Sequence, residues 1–466
     1  MKATTMRRYL PLTAALLCAI MPARAQQLQG DWTGSIGVLG VIVHFDKTAD
    51  GGWEGTLTVP QQRLKRKLEQ LVVTPQQLSF ALPEFQASYA ARWDAAQLAW
   101  AGTWTQGQAT PLLLKKADAA AVAALTPRRP QEAAIAALPP AATSTDVGFR
   151  NDAAGVDLAG TFSVPRGQGA GPFPAVVLVH GSGPHSRDEE VLGHKVFLVL
   201  ADHLNRRGIA VLRYDKRGIG KSTGAYQGAT TLDFADDAEA AVRFLRSRPE
   251  VDRQRLGILG HSEGGLIAPL VASRDPALAF VVMLAGHGVR GADLMVEQLA
   301  LAARDAGVAE PQIARQRAFN RPLFAAIADA AQPDAARAKA AALYEAAERQ
   351  GTLPSDMTRE RLARFTDPWF FTFLRHDPAP ALRLLRQPVL ALNGELDQQV
   401  PAALDLAAIR QALAGNRRAV VKELPGLNHL MQTASSGGVS EYARIEETMS
   451  PLALETVSGW IAGTVK

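Results

Sequence analysis

The residues best suited to chemistry in this chain are Gly260-His261-Ser262-Glu263-Gly264, which follow directly on the apolar run Leu256-Gly257-Ile258-Leu259. They fit G-x-S-x-G, a pattern in which a strand turns sharply into a helix and holds a serine exposed in a strained conformation. Glycine two residues to either side suits such a turn, because a side chain there would run into the neighbouring strand or helix. The mostly apolar segment Leu266 to Val271 completes a strand–turn–helix context. A serine held in this way acts as a nucleophile when a base can take its proton and an acid can orient that base.

Histidine would supply the base. Of nine histidines, three lie beyond Ser262: His287, His376 and His429. His287 follows the next candidate strand, and His376 falls in a helical, aromatic-rich region. His429 comes after Pro425-Gly426-Leu427-Asn428, in the loop behind the last candidate strand. On a sheet that carries an elbow serine the partners follow in the order acid, then histidine, which selects His429. For the acid, Val389-Leu390-Ala391-Leu392 leads into Asn393-Gly394-Glu395-Leu396-Asp397. Asp397 is preferred over Glu395 because it has the shorter side chain and the farther position in a loop that must face the imidazole. Any one histidine also has an ordinary reading as a hydrogen-bonded bystander; order and position carry the assignment.

Two backbone amides complete the set. Val176-Val177-Leu178-Val179 runs into His180-Gly181-Ser182-Gly183-Pro184, a small-residue loop that leaves N–H groups facing open space. The amides of Ser182 and Glu263 are the candidate oxyanion donors. A plain strand-to-helix turn and a phosphate cradle compete with this reading, but neither G-x-G-x-x-G nor G-x-x-x-x-G-K-[ST] is completed. No HExxH, CxxC or clustered His/Asp set points to a metal, and no cofactor is expected.

Elements must hold these residues in place. Candidate strands are Pro174 to Val179, Ile209 to Arg213, Arg255 to Gly260, Leu278 to Leu284, Gln387 to Leu392 and Arg418 to Leu424, with helical spacing between them, as in Leu232 to Arg248. Short strands rich in Val, Ile and Leu are those of a sheet buried on both faces. Their alternation with helices predicts an α/β fold with a doubly wound, mostly parallel sheet, whose ligands bind at the carboxyl ends of the strands. The interval from Leu284 to Gln387 is far longer than a usual connection. With its Ala-rich stretch Asp293 to Ala347 and with Phe365, Trp369, Phe370, Phe371 and Phe373, it predicts a helical cap over about 288–380. These aromatics either line an acyl or aromatic pocket or glue the cap to the core.

The rest of the chain divides by composition. Residues 26–116 alternate apolar and polar positions between Gly, Asp and Pro turns, which predicts a small all-β domain, an antiparallel meander closed or half-closed into a barrel or sandwich. Trp32, Trp53, Trp93, Trp100 and Trp104 are read as its core rather than as a ligand site. Residues 117–145 are Ala- and Pro-rich, as in a linker or partly helical tether, and the catalytic domain is expected over 146–466. Residues 1–25 read as a signal peptide: Lys2, Arg7 and Arg8, an apolar Leu10 to Met21, and Ala23-Arg24-Ala25 before cleavage at Gln26. The apolar run is too short for a transmembrane helix, so an exported protein without stable membrane insertion is expected, periplasmic or secreted from a bacterium. Loss of Lys2, Arg7, Arg8 and Arg24 takes the formal charge from +5 to +1, which removes the case for a nucleic-acid partner. The single cysteine, Cys18, leaves with the same segment, so no disulfide is expected.

Taken together, His180-Gly181-Ser182-Gly183-Pro184, Tyr214-Asp215-Lys216-Arg217-Gly218-Ile219-Gly220-Lys221-Ser222, Gly260-His261-Ser262-Glu263-Gly264, Asn393-Gly394-Glu395-Leu396-Asp397 and Asn428-His429 resemble the α/β-hydrolase superfamily. The likeness is to its exported bacterial esterases, related to the serine aminopeptidase branch, and covers about residues 146–466. Gly102-Thr103-Trp104-Thr105-Gln106-Gly107 is similar to the small β domain that precedes the catalytic domain in some of them. The resemblance implies Ser262 as nucleophile, Asp397 as acid, His429 as base, and Ser182 and Glu263 as oxyanion donors. It makes the Asp215-Arg217-Gly218 turn a structural loop beside the site. The expected function is a serine hydrolase acting on a small-molecule ester through an acyl-enzyme. A peptidase or amidase of the same fold is the first alternative, and a non-catalytic glycan- or lipid-binding protein the second.

Overall fold

From residue 30 to 116 the chain alternates apolar and polar residues, which puts successive side chains on opposite faces of a strand. A computed structural model, which describes residues 28–62, 64–125 and 128–466, forms this segment into one nine-stranded sheet. Side by side lie Leu64–Lys67, Trp53–Val59, Leu39–Lys47, Gly30–Ile36, Gln108–Lys116, Ala99–Gln106, Ala87–Asp94, Gln77–Leu82 and Glu69–Val73. Neighbours pair antiparallel throughout. The two outermost strands are consecutive in the chain, with only Leu68 between them, so the sheet curls round until its ends meet. Leu68 is buried there, and its amide donates to the Gly55 carbonyl at 2.9 Å.

Aromatics fill the inside of this sheet. Trp32, Trp100 and Trp104 are buried with Phe45, Phe80 and Tyr89, and Trp53 and Trp93 are partly buried against them. The Trp93 ring lies 6.1 Å from Trp32 and 5.3 Å from Trp100, both edge-on. Tyr89 satisfies its buried hydroxyl by donating to the Trp100 carbonyl at 2.8 Å.

The described residues divide into two compact units, one up to residue 125 and the other from residue 128. The stretch expected as a tether carries two short helices, Ala119–Ala124 and Pro130–Ala137, and its last residues enter the strand Ala142–Asn151. Its second half belongs to the larger unit. Arg129 donates to the carbonyls of Ile445, Leu192 and Ala443, and Glu132 accepts from the Thr448 hydroxyl. These ties are hydrogen bonds rather than large apolar contacts, which is why the composition resembled a linker. The expected signal peptide lies outside the described residues.

The larger unit holds an eight-stranded sheet in the order Ala142–Asn151, Val156–Pro165, Ala210–Tyr214, Phe173–Val179, Val251–His261, Val281–Leu284, Val389–Gly394 and Ala419–Leu424. The first two form an antiparallel hairpin whose second strand also pairs antiparallel with Ala210–Tyr214. The other pairings are parallel. The chain goes from Phe173–Val179 to its neighbour on one side, then crosses to Val251–His261 on the other. Such a reversal opens a crevice at the carboxyl ends of the strands. Apolar runs such as Val176-Val177-Leu178-Val179 are buried on both faces, feeding two cores, one under each layer of helices. The last strand departs from the expected double burial: it is the sheet's edge, and Val420 is exposed.

Between Val281–Leu284 and Val389–Gly394 come the helices Gly291–Asp305, Glu310–Ala328, Pro333–Gln350, Arg359–Arg364, Pro368–Arg375 and Ala379–Leu384. They bury a cluster of their own that includes Leu294, Leu323, Phe324, Tyr344 and Phe365.

Candidate active site

Ser262 stands between the strand ending at His261 and the helix Glu263–Arg274, with φ 54° and ψ −118°. A non-glycine residue at positive φ is strained and persists only where its surroundings impose it. Here they do. A β-carbon on Gly260 would collide with the Gly264 carbonyl, and one on Gly264 would collide with the Val179 carbonyl. Strand and helix can therefore approach closely only with glycine at both positions. The Ser262 amide is fixed on the adjoining strand, donating to the Leu284 carbonyl at 2.9 Å.

Asp397 and His429 come together across two strand ends. His429 Nδ1 donates to Asp397 Oδ2 at 2.9 Å, and the other Asp397 oxygen accepts from the amides of Gln399 and Val400 at 2.8 and 2.9 Å. Both side chains are buried. Glu395, the competing carboxylate, instead accepts from the Gly426 amide at 2.8 Å. The loop carrying His429 is shaped by Asn428, whose side-chain oxygen accepts from the amides of Leu430 and Gln432, both at 3.0 Å.

Ser262 and His429 line one cavity of about 250 Å³, along with Ser182. Among the described residues no hydrogen bond joins the Ser262 hydroxyl to the His429 ring. The Ser182 loop abuts the serine, since a β-carbon on Gly181 would stand 3.1 Å from Ser262 Cβ. Glu263 is the first residue of its helix, so its amide has no intrahelical acceptor.

The sequence reading missed a set of buried charges around this loop. His261 donates from Nε2 to the His429 carbonyl at 2.9 Å and from Nδ1 to Glu189 Oε1 at 3.1 Å. Both partners can only accept, so the ring is an imidazolium. Burial opposes that charge, but the Glu189 carboxylate prevails and raises the His261 pKa. Glu189 feels the same pairing: burial alone would raise its pKa, yet His261, His185 and His180 bring it down to about 2. Its Oε1 also accepts from the Gly181 amide at 2.5 Å, while Lys216 Nζ donates to the Gly181 carbonyl at 2.7 Å. The backbone of Gly181 is thus held at both its N–H and its C=O by buried charges. Lys216 also pairs with Glu263 at 3.3 Å. Glu263 in turn accepts from the Thr231 hydroxyl at 2.7 Å and from the Trp369 indole at 2.8 Å. Lys216 lies in Tyr214-Asp215-Lys216-Arg217, where a lysine beside two further charges at a strand end was the available signal.

Of the aromatics between residues 365 and 373, Trp369, Phe370 and Phe373 line the cavity. Phe365 packs on Phe324 at 4.9 Å inside the helical cluster. Arg217 pairs with Asp237 at 2.7 Å, and Asp215 holds Arg187 at 2.8 Å. His376 ends the helix Pro368–Arg375. His287 lines the cavity. Behind it, Asp405 accepts from the amides of Gly288 and Val289 at 2.7 and 3.3 Å. Burial outweighs those two donors and pushes the Asp405 pKa up to about 7. Among the described residues no cluster of His, Cys, Asp or Glu is grouped as a metal ion would need, and no helix is long and apolar enough to cross a membrane.

Known proteins supply a family, two relatives and a structural neighbour. The model of the alpha/beta hydrolase family matches residues 176–441. The chain is 30% identical over 274 residues to esterase EstD of Thermotoga maritima, a match covering 59% of this chain and 58% of EstD. It therefore spans less than two thirds of that relative's length. It is also 32% identical over 111 residues to the uncharacterized protein YfhR of Escherichia coli, covering 24% of this chain and 36% of YfhR. Among solved structures, the esterase Pf2001 of Pyrococcus furiosus aligns with a TM-score of 0.43 at 16% identity, over 70% of this chain and 92% of that one.

Proposed function

The chain belongs to the alpha/beta hydrolase family, and from that premise we propose that it hydrolyses carboxylic esters through an acyl-enzyme on Ser262. The observation that carries this reading is Ser262 at positive φ in a cavity shared with His429, whose Nδ1–H is held by Asp397. Donation from Nδ1 leaves Nε2 of a neutral His429 as the lone-pair nitrogen, able to take the serine proton. Ser262 Oγ adds to the ester carbonyl as its proton passes to His429, and the tetrahedral oxyanion is met by the amides of Ser182 and Glu263. Collapse breaks the C–O bond of the ester, and His429 gives its proton to the departing alcohol. Water then repeats the sequence on the acyl-enzyme, releasing the acid and restoring the serine. In an unliganded site the serine–histidine contact is often long and tightens only with substrate bound. The name of EstD, an esterase, supports the ester as substrate class.

The test is turnover of p-nitrophenyl acyl esters against amino-acid p-nitroanilides, with Ser262→Ala and Asp397→Asn alongside. Ester turnover is expected to exceed anilide turnover, with losses of about 10⁴-fold or more in kcat for either variant. Preferred anilide cleavage, or esterase activity that survives Ser262→Ala, defeats the proposal. The first 25 residues further support export to the periplasm or medium. N-terminal sequencing of the recovered enzyme should read Gln26 first, and an intact Met1 would count against export.

A further inference from the structure

The cavity beside Ser262 has two kinds of lining. Trp369, Phe370, Phe373 and Met295 give it an apolar side, with Trp369 stacked on Phe373 at 5.0 Å between ring centroids. Gln298 and His287 are polar groups that line the cavity beside them, and of these two His287 is the buried one. It is 4% exposed, lines the same cavity and packs edge-on against Phe373 at 5.3 Å. Among the described residues nothing hydrogen-bonds to its ring. Burial, reinforced by His429, His376 and His261, depresses its pKa to about 3, so the ring is neutral and offers one donor and one acceptor. Set in the cavity wall with no partner from the protein, the ring is free to pair with a ligand that carries the matching group. The cavity, about 250 Å³, lies below the ~300 Å³ lower bound for pockets that take drug-sized ligands.

We propose that this site selects small esters bearing a hydroxyl next to an aromatic or short apolar group, and that His287 is the hydrogen-bonding partner of that hydroxyl. The inference rests on the ester-hydrolase reading above and names its substrate class. A hydroxyl both donates and accepts, as the neutral imidazole does. An anionic substituent gains no charge from that ring, and a purely apolar substrate leaves it unpartnered. Sites that hydrogen-bond a substrate hydroxyl discriminate against the analogue lacking it far more strongly than apolar pockets discriminate by size.

Matched ester pairs test this. Methyl 3-(4-hydroxyphenyl)propanoate against methyl 3-phenylpropanoate places the hydroxyl on the acyl half. The acetates of 2-(4-hydroxyphenyl)ethanol and 2-phenylethanol place it on the alcohol half. In each pair the hydroxyl is insulated from the reacting carbonyl, so the ratio of kcat/KM within a pair reads recognition. A preference of about tenfold or more for the hydroxylated member is expected in one pair, which identifies the half that faces His287. The ratio should fall to about one in His287→Phe and recover partly in His287→Asn, which keeps a donor and an acceptor. A ratio near one in both pairs for the natural enzyme, or one unchanged by His287→Phe, overturns the inference. Calorimetric binding of the same pairs to Ser262→Ala separates this outcome from failure of the ester reading. Tighter binding of the hydroxylated members without any ester turnover in the natural enzyme would refute the hydrolase and keep His287. Turnover without preference would do the reverse.

Discussion

His261 and His287 line the same cavity as His429, yet their neighbours set them in opposite protonation states. His261 has an acceptor at each nitrogen and a carboxylate partner, which favours its cationic form. His287 has burial and three other imidazoles around it, so it is neutral. Residue type alone could not separate them, because the partners that decide the matter are brought in by the fold. Glu189 is 72 residues from His261 in the chain. Asp405 makes the same point with a measurable outcome. Its carboxyl keeps its proton in the folded protein up to pH about 7 but loses it near the ordinary value of 3.8 when unfolded. Between those values the folded state binds the extra proton, so stability falls as pH rises, by about 1.4 kcal/mol per pH unit. It levels off above the folded pKa. Asp405→Asn, which cannot titrate, should remove this contribution. Urea unfolding of both proteins from pH 4 to 8 would show the variant gaining on the parent as pH rises, and a constant difference would refute the assignment.

At the scale of elements, the approach of the strand Val251–His261 to the helix Glu263–Arg274 depends on two missing side chains. Gly260→Ala puts a methyl group onto the Gly264 carbonyl, where neither backbone can yield without moving the serine. A cost of about 3 kcal/mol or more is expected, read as a lowered Tm with loss of activity in the residual folded protein. An alanine variant of parental Tm would show that the elbow is looser than described. The strands most legible in the sequence were those buried on both faces: Phe173–Val179 differs from its expected limits by one residue. The hairpin Ala142–Asn151 and Val156–Pro165 was not read. Its first strand is largely exposed and polar, and so carries almost no apolar signal. The second does alternate, with Val156, Leu158 and Phe162 buried, and that period was there to be found. Ser182, Ser262, Asp397 and His429 could be read because each follows an apolar run. The Trp369–Glu263 contact could not, since nothing local in Asp367-Pro368-Trp369 specifies a partner 106 residues away.

At the scale of the molecule, each unit has a core of its own. Trp32, Trp53, Trp93, Trp100 and Trp104 belong to the smaller unit, and the chain has seven tryptophans in all. Intrinsic fluorescence therefore reports mainly on that unit, while esterase activity would report on the larger one. Thermal unfolding followed by the two probes should give midpoints that do not coincide. A single shared midpoint would mean that the units unfold as one. The way the smaller unit's sheet ends has a consequence for how the protein behaves among its copies. An open sheet offers two rows of unpaired amides and carbonyls on which another chain can template itself. In this sheet the two terminal strands run into each other through Leu68, and one of them carries Lys65, Arg66 and Lys67, all exposed. Arg66 and Lys67 pair there with Glu84 and Glu54, so a second molecule arriving at that seam meets a short border of charged side chains, a poor template for edge-to-edge stacking.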